Sequence, residues 1–226
     1  MDQNTKKKEA AKKAFEFILP FLNEDSVIGI GTGSTTNFFI DELIKSKLTF
    51  KAAICSSEAS KNLLLTSGIN ILELNEVHGI DFYIDGADEF NSNFELIKGG
   101  GGALTREKIL AYSSKKFLCI VDDSKNVDLL GRFPLPIEVL EIARSSIARE
   151  VMRMGGKPVY RTNFITDNGN QILDVHNLKI PVPYDMENTL NNIPGIVENG
   201  IFSKRKADVI IEASDQDIKI INIETL

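Results

Sequence analysis

The amino-acid sequence predicts an α/β fold, in which an open, Rossmann-like, mostly parallel sheet carries helices on both faces and is joined to a smaller α+β domain. Three observations predict it. Short apolar runs alternate with segments of helical spacing from Thr5 to Lys125. Polar or glycine-rich segments follow these runs, as ligand-binding loops do at the carboxyl ends of parallel strands. After Gly131 the elements follow a different order, which is typical of a ferredoxin-like domain.

The elements of the larger domain are defined by apolar spacing and by the residues that end each run. Ala10, Ala14 and Ile18 keep helical spacing, and Gly68 ends a later helix. The predicted elements, in order, are a helix over 5–19, a strand over 27–31, a helix through Leu43, a strand over 52–55, a helix through Leu65, strands over 69–72 and 80–84, a helix over 105–112 and a strand over 117–121.

The smaller domain is expected to begin at the junction Phe133-Pro134-Leu135-Pro136. Its predicted elements are a strand over 137–140, a helix over 142–154, strands over 159–161 and 171–175 around an Asn168-Gly169 turn, a helix over 186–192 and a last strand. Segments 207–211 and 218–223 are strand-rich and are expected to return to the first sheet. We therefore predict a catalytic domain of residues 1–130 and 205–226, and a small domain of residues 131–204 that forms an oligomer interface.

Composition excludes several classes of partner. The 226 residues have a formal net charge of −6, which disfavours general attraction to nucleic acid or to an anionic membrane. The apolar run over 17–22 is too short to span a bilayer, and no signal-peptide cleavage pattern follows it. Cys55 and Cys119 lie in apolar runs, which favours buried free thiols in a reducing compartment.

The segment Gly29-Ile30-Gly31-Thr32-Gly33-Ser34 follows a strand and opens a helix, but it does not match a dinucleotide-binding fingerprint. Serine stands where the third glycine would be, and no acidic residue closes the second strand. The spacing of an NTP-binding loop is also missing. Backbone N–H groups of Gly33 and hydroxyls of Thr32, Ser34 and Thr35 at a helix N-terminus suit a phosphate monoester. The alternative is a tight turn with Ser34 or Thr35 as an ordinary N-cap.

A second polar segment, Asp85-Gly86-Ala87-Asp88-Glu89, closes another strand. Gly86 and Ala87 are small enough to let a ligand approach between the two aspartates. Three acids in five residues also suggest a divalent metal, but His78 and His176 are not spaced as a ligand pair, so no metal or other cofactor is predicted. The alternative is turn capping and solvated charge.

The segment from Lys98 to Lys108 contains four consecutive glycines, Gly99 to Gly102, before a predicted helix. Glycine is costly to order, so the run indicates a close backbone approach to a ligand, and the helix N-terminus favours an anion. Glu107 follows in the first turn, where burial would raise the pKa of its carboxyl. The alternative is a flexible loop before a solvated helix.

These segments together predict proton chemistry on a sugar phosphate. Glu107 would remove a proton from the carbon beside a carbonyl, while Lys98 and the N–H groups of Gly99, Gly100 and Gly101 would stabilise the enediolate oxygen. Lys125, after a later strand, would offer a second cation to the phosphate, unless it lies in an ordinary surface turn.

The same residues resemble type A ribose-5-phosphate isomerases in order and spacing. The segments that carry this resemblance are Gly31-Thr32-Gly33-Ser34-Thr35, Asp85-Gly86-Ala87-Asp88, Lys98-Gly99-Gly100-Gly101, Thr105-Arg106-Glu107-Lys108, Asp123-Ser124-Lys125, Phe133-Pro134-Leu135-Pro136, Thr166-Asp167-Asn168-Gly169-Asn170 and Asn192-Ile193-Pro194-Gly195. One such motif is weak evidence, whereas several in register over nearly the whole chain are specific.

The resemblance implies metal-free interconversion of D-ribose 5-phosphate and D-ribulose 5-phosphate through an enediolate. It implies that Glu107 is the general base, and that Lys98, Asp85 and Asp88 line the sugar site and assist ring opening and charge stabilisation. It assigns Thr32, Ser34, Thr35 and Lys125 to the substrate, chiefly its phosphate, with Lys7 as a further possible contact. It also implies a cytoplasmic homodimer or dimer of dimers.

Two other functions fit parts of the pattern. A sugar-phosphate sensor would bind without turnover, but it should carry a basic helix-turn-helix segment, for which the chain has no room. An aminosugar-phosphate isomerase or an acyl-CoA-transferring relative would need different loop residues. The appearance of ketose from ribose 5-phosphate distinguishes all three.

Overall fold

The computed structural model describes residues 1–223, which divide into two compact units. The first unit contains residues 1–86, 106–125 and the chain from Ala207 onward, and the second contains residues 87–105 and 126–206. The described α-helices are α1 (Gln3–Ile18), α2 (Ser34–Ser46), α3 (Glu58–Leu65), α4 (Leu104–Tyr112), α5 (Arg144–Arg153) and α6 (Pro183–Asn191). The described strands are β1 (Val27–Ile30), β2 (Ala52–Cys55), β3 (Ile80–Asp85), β4 (Glu89–Phe90), β5 (Leu96–Ile97), β6 (Ser114–Asp122), β7 (Leu135–Val139), β8 (Lys157–Tyr160), β9 (Gln171–His176), β10 (Ile196–Asn199), β11 (Ile201–Phe202), β12 (Val209–Ala213) and β13 (Ile218–Asn222).

The first unit contains a six-stranded sheet in the order β13-β12-β6-β3-β1-β2. All neighbouring strands are parallel except β12 and β13. The predicted open, mostly parallel α/β sheet is therefore confirmed, as is the return of the C-terminal strands to it. The direction of winding reverses between β1 and β3, and at such a switch point the loops after the strands form a crevice that binds ligands.

Both faces of the central strands are buried, as expected for a parallel sheet. Phe82 and Ile84 of β3 belong to a core that includes Ala14 of α1 and Phe39 of α2. On the opposite face of β3, the ring of Tyr83 lies 5.1 Å from a phenylalanine ring of β6, centroid to centroid. The alternation of side chains along β3 thus carries Asp85, at its end, to the same face as Tyr83.

The second unit contains a four-stranded antiparallel sheet in the order β10-β7-β9-β8. The chain order β7-α5-β8-β9-α6-β10 gives the strand order 4-1-3-2, which confirms the ferredoxin-like prediction. The Asn168-Gly169 turn is present between β8 and β9, with Gly169 at φ +81°. Leu135, Ile137 and Val139 of β7 pack into the core of this unit, so the alternate residue Glu138 lies on the other face of the sheet.

The structure differs from the sequence-based description in two places. Residues 69–72 were expected to form a strand, but Ile71 makes only an isolated bridge to Ala53, so that prediction is wrong. A three-stranded sheet of β4, β5 and β11 was not predicted, and it groups residues 87–105 with the second unit instead of the first. The predicted first domain also included residues 224–226, which lie outside the described residues.

Candidate active site

The loop after β1 enters α2 without a side-chain cap. Gly33 is the N-cap residue, with φ at +112°, a region that favours glycine. Ser34 and Thr35 are the first helical residues, and Ser34 is exposed. The alternative in which one of these two hydroxyls caps the helix is therefore wrong. Because the first N–H groups of a helix attract anions, this exposed end of α2 can donate hydrogen bonds to a phosphate oxygen.

Asp85 organises this loop from the end of β3. Its side chain is fully buried, and its Oδ1 accepts hydrogen bonds from Thr32 N (3.0 Å), Gly86 N (2.8 Å) and the Thr36 hydroxyl (3.2 Å). Its Oδ2 accepts one from the Tyr83 hydroxyl at 2.5 Å. Of the alternative for this residue, solvated charge is thus wrong for Asp85, whereas turn capping is confirmed by its hydrogen bonds from loop N–H groups. Its carboxylate instead ties the two loops at the switch point together.

The pKa of Tyr83 fits its place as a donor to Asp85. Complete burial raises this pKa well above its usual value of 10.0, and the negative charges of Asp85 and Glu107 raise it further. The phenol of Tyr83 therefore stays protonated near neutral pH and donates a hydrogen bond to the Asp85 carboxylate.

Gly31 is required by the position of Asp85. A Cβ built on Gly31 would lie 1.9 Å from Asp85 Cγ and 2.0 Å from Asp85 Oδ1. Gly86 differs, because its added Cβ would meet Ile120 O at 3.7 Å and Thr35 Cβ at 4.0 Å, which are ordinary contacts. The two glycines therefore have different reasons to lack a side chain.

Two lysines of the first unit, Lys7 and Lys125, were expected to contact the phosphate, and that role stays a prediction. Lys7 Nζ of α1 donates to Ser34 Oγ at 3.0 Å, at the exposed end of α2. Lys125 lies in a short 3₁₀ turn, 123–125, directly after β6, and its side chain is half-buried. Lys6, in contrast, is engaged by Asp123 at 2.9 Å and by Asp215 at 3.3 Å. Of these three lysines, Lys7 and Lys125 are the ones with no described carboxylate partner.

Glu107 lies in the first turn of α4, as predicted, and is buried, with 3% of its surface exposed. The neighbouring Arg106 turns outward and pairs with Glu58 at 3.0 Å. Burial distinguishes Glu107 from an ordinary solvated helix carboxylate. The predicted rise in its pKa stays a prediction.

In the second unit, the glycine run has a defined conformation. Gly99 and Gly102 have φ of +102° and +86°, and Gly102 N donates to Gly99 O at 2.9 Å to close a turn. Gly100 N donates to Asp88 Oδ2 at 2.8 Å. The flexible-loop alternative is therefore wrong for Gly99, Gly100 and Gly102. Gly101 is exposed at the tip of the turn.

Lys98 precedes the run and is buried, with 3% of its surface exposed. Its Nζ lies 5.5 Å from the centre of the Phe202 ring, and its backbone N donates to Gly200 O at 2.9 Å. A buried ammonium over a ring face is stabilised by the ring quadrupole. Ala87, the last of the predicted small residues, is half-buried beside Asp88.

Two charged side chains that contact these loops, the buried Glu138 and the partly exposed Arg161, were not identified from the sequence. Glu138 is fully buried on β7, and it accepts hydrogen bonds from the side chains of Thr166 (2.8 Å), Asn170 (2.8 Å) and Thr105. Arg161, after β8, donates to backbone carbonyls of the glycine run. The only signal in the sequence was the Thr166–Asn170 segment, which was interpreted as a turn.

Among residues 1–223, no three His, Cys, Asp or Glu side chains are grouped so that they could hold a metal ion. The donors around Asp85 are protein N–H and O–H groups. In the same described range, no helix is long and apolar enough to cross a membrane. Cys55 and Cys119 are free thiols, as predicted.

Comparison with known proteins agrees with this fold. A family model described as ribose 5-phosphate isomerase A (phosphoriboisomerase A) matches residues 52–216. A curated protein from Histophilus somni (strain 2336), named ribose-5-phosphate isomerase A, is 53% identical over 222 residues, which cover 98% of this chain and 100% of that protein.

Solved structures give the same result. Ribose 5 phosphate isomerase A from Neisseria gonorrhoeae superposes with a TM-score of 0.93 at 49% identity, and the match covers 98% of this chain and 97% of that one. A D-ribose-5-phosphate isomerase in complex with phospho-erythronic acid has a TM-score of 0.91 at 39% identity, covering 98% of this chain and 100% of its own. The chain therefore belongs to the ribose 5-phosphate isomerase A family.

Proposed function

We propose that this chain interconverts D-ribose 5-phosphate and D-ribulose 5-phosphate by proton transfer through an enediolate, with Glu107 as the general base. The family membership supports the reaction, which is that of an aldose–ketose isomerase. The observation that carries the assignment of the base is the burial of the Glu107 carboxylate directly after a structured glycine turn. A buried carboxylate is a stronger base than a solvated one, because burial disfavours its charged form.

In this proposal, Glu107 takes a proton from C2 of the open-chain aldose and returns it to C1, while the hydroxyl proton on O2 is transferred to O1. The C1–C2 enediolate formed between the two transfers carries negative charge on oxygen. Lys98 and the N–H groups of the glycine turn are assigned to that oxygen, because cations and fixed N–H dipoles act most strongly where charge develops. Asp88 and Asp85 are assigned to line the site for the sugar end of the substrate and to assist ring opening. The four protein donors that bond Asp85 support a further role in holding the loop residues.

The phosphate is assigned to the N-terminus of α2. Ser34 is exposed there and Lys7 already contacts its hydroxyl at 3.0 Å, so a phosphate oxygen could replace or join that hydrogen bond. Thr32, Gly33 and Thr35 supply the remaining hydroxyl and N–H donors in this assignment, and Lys125 supplies a second cation. Helix N-termini and charged donors together favour a doubly charged monoester over a neutral sugar.

The test is Glu107→Gln, with Glu24→Gln as the matched control on an exposed loop carboxylate. Ketose formation from ribose 5-phosphate is measured for the wild-type chain and both variants. We expect the wild-type chain to be active after dialysis against EDTA. We expect Glu107→Gln to lose about 10²–10⁴-fold in kcat with little change in KM, because general base catalysis typically contributes that factor. Near-wild-type turnover by Glu107→Gln would show that another group is the base.

We further propose that the chain acts as a cytoplasmic homodimer or dimer of dimers, with the second unit supplying an interface. Its ferredoxin-like part exposes several large apolar side chains: Ile142 (94% exposed), Met152 (62%), Ile165 (58%) and Tyr184 (54%). Apolar surface of this kind often marks contact with a partner. The mass in solution, measured by light scattering across a dilution series, tests this proposal. A monomer at every concentration would contradict it.

A further inference from the structure

The side chain of Arg161 contacts the glycine turn from the face of the ferredoxin-like sheet that is opposite to its helices. Its Nη1 donates to Gly100 O at 3.2 Å, and its Nη2 makes a longer contact with Gly99 O at 3.5 Å. Two successive peptide carbonyls of the run are thus directed at one guanidinium. Because glycine peptides reorient at low energetic cost, these contacts act together with the hydrogen bonds of Gly102 N to Gly99 O and of Gly100 N to Asp88 to fix the orientation of the run.

The guanidinium is itself held in place. Its Nε donates to Asp174 Oδ2 at 2.8 Å and its Nη2 to Asp174 Oδ1 at 2.5 Å, in the bidentate geometry that arginine forms with carboxylates. Its central carbon lies 5.2 Å from the centre of the Phe164 ring. Both charged side chains are about one-fifth exposed. Arg161 therefore has little freedom to move away from the two carbonyls.

The peptide geometry then fixes the N–H groups. In a trans peptide the C=O and N–H point in opposite directions, and no described peptide bond is cis. The peptide between Gly99 and Gly100 agrees with this, because its carbonyl faces Arg161 while its N–H donates to Asp88 Oδ2 at 2.8 Å. In the next peptide, the carbonyl of Gly100 faces Arg161, so the N–H of the exposed Gly101 points away from it.

We propose that Arg161 is a positioning residue for the isomerase reaction: by holding the carbonyls of Gly99 and Gly100, it aims the N–H of Gly101 at the enediolate oxygen. This inference rests on the proposed function, since it assigns the developing negative charge to the glycine turn. Arg161 itself touches no reacting atom. Since the oriented N–H stabilises charge that is present mainly in the transition state, loss of Arg161 lowers kcat more than it raises KM.

The test compares Arg161→Ala and Asp174→Asn with the control Arg153→Ala, which removes an exposed arginine paired with Glu150. Steady-state kinetics give kcat and KM for ribose 5-phosphate. Calorimetry gives the affinity for phospho-erythronic acid, whose carboxylate resembles the enediolate, and inhibition by inorganic phosphate reports the phosphate end alone. Thermal melting shows that each variant is folded.

For Arg161→Ala we expect kcat to fall about 10- to 100-fold, somewhat less than the loss typical of removing a whole oxyanion donor. KM and phosphate inhibition should stay within about threefold, and phospho-erythronic acid should bind about 10-fold more weakly. Millimolar guanidinium should restore part of kcat, because the vacated position is partly open to solvent. Asp174→Asn should give a smaller loss of the same kind, and Arg153→Ala none.

Three results would overturn the proposal: wild-type kcat in a folded Arg161→Ala variant, equal losses in phosphate and phospho-erythronic acid binding, or loss of kcat without rescue by guanidinium. If Arg161→Ala does not fold, Arg161→Lys carries the test, because lysine keeps the charge but cannot bond two carbonyls and a carboxylate in one plane. Failure of the proposed function is distinguishable, since the wild-type chain would then form no ketose. The affinity for phospho-erythronic acid would still show whether loss of Arg161 changes the glycine turn.

Discussion

Replacing Gly31 by alanine should test whether Asp85 is the structural link between the loops after β1 and β3. The new Cβ would lie 1.9 Å from Asp85 Cγ, 2.0 Å from Oδ1 and 2.5 Å from Cβ. Non-bonded carbon atoms prefer about 3.5–4.0 Å, so the carboxyl group has to move by roughly 1.5 Å. Asp85 is fully buried and packed, and it can make that shift only by leaving its present donors.

The cost follows from the hydrogen bonds that the shift breaks. Asp85 Oδ1 now lies 3.0 Å from Thr32 N and 2.8 Å from Gly86 N, and a displacement of this size takes it out of range of both. Hydrogen bonds to a charged group contribute about 1.5–3 kcal/mol each, so the loss of two amounts to roughly 3–6 kcal/mol. Domains of ordinary stability have only about 5–15 kcal/mol in total.

The assay is urea unfolding followed by circular dichroism, with Gly79→Ala as the matched control. A Cβ on Gly79 would meet only Ser113 O, at 3.5 Å, so that variant should unfold within about 0.5 kcal/mol of the wild-type chain. Gly31→Ala should lose at least about 3 kcal/mol. A loss below about 1 kcal/mol with activity retained would show that Asp85 can adopt a second position, and it would refute the argument that this carboxylate fixes the loops.

Two further predictions concern titratable groups away from the reacting atoms. Burial raises the pKa of Glu89 above its ordinary 4.5, although the N–H groups of Gly131 and Phe133 act in the opposite direction. Because the folded state then binds the proton more tightly, stability from this group is greatest below pH 4.5 and falls as the pH rises through the folded pKa. In unfolding experiments at a series of pH values, the free energy of unfolding of Glu89→Gln should no longer show this decline. If its dependence on pH equals that of the wild-type chain, the raised pKa does not belong to Glu89. Burial also raises the pKa of the Cys55 thiol to about 12, so iodoacetamide at pH 8 should label the folded chain at least about 100-fold more slowly than the urea-unfolded chain. Rapid labelling of Cys55 in the folded chain, located by mass spectrometry, would show that its surroundings are open.

Local patterns were sufficient to predict most of the first unit. Strand β2 was predicted with its observed bounds, and β1 within one residue, because short buried apolar runs flanked by polar turns are distinctive. The segment 69–72 also looked apolar, yet only Ile71 bridges to a neighbouring strand. Whether such an apolar run becomes a strand depends on whether the fold places it beside a free edge of the sheet. The spacing of apolar residues along the chain carries no information on that.

The missed elements are those defined by distant partners. Strands β4, β5 and β11 have two residues each, which is too short for any alternation to be visible. Glu138 bonds to Thr166 and Thr105, which are 28 and 33 residues away in the chain. From the sequence, Glu138 is one acidic residue in an apolar strand. Only the fold shows that several donors surround it, which makes a buried carboxylate tolerable.

The glycines change the interpretation of both loops. From the sequence, the run of four glycines was interpreted as a close backbone approach to a ligand, but a Cβ on Gly100 would lie 2.6 Å from Asp88 Oδ1, and Gly31 likewise leaves room for Asp85. These two glycines let the backbone approach its own carboxylates. Gly86 has ordinary space around it, so ligand approach is the reason that remains for its missing side chain. Gly86→Ala should therefore keep wild-type stability and raise KM for ribose 5-phosphate about 10-fold or more, as expected from one contact worth about 1.4 kcal/mol. Unchanged kinetics in that variant would assign Gly86, like the other two, to the architecture of the loop.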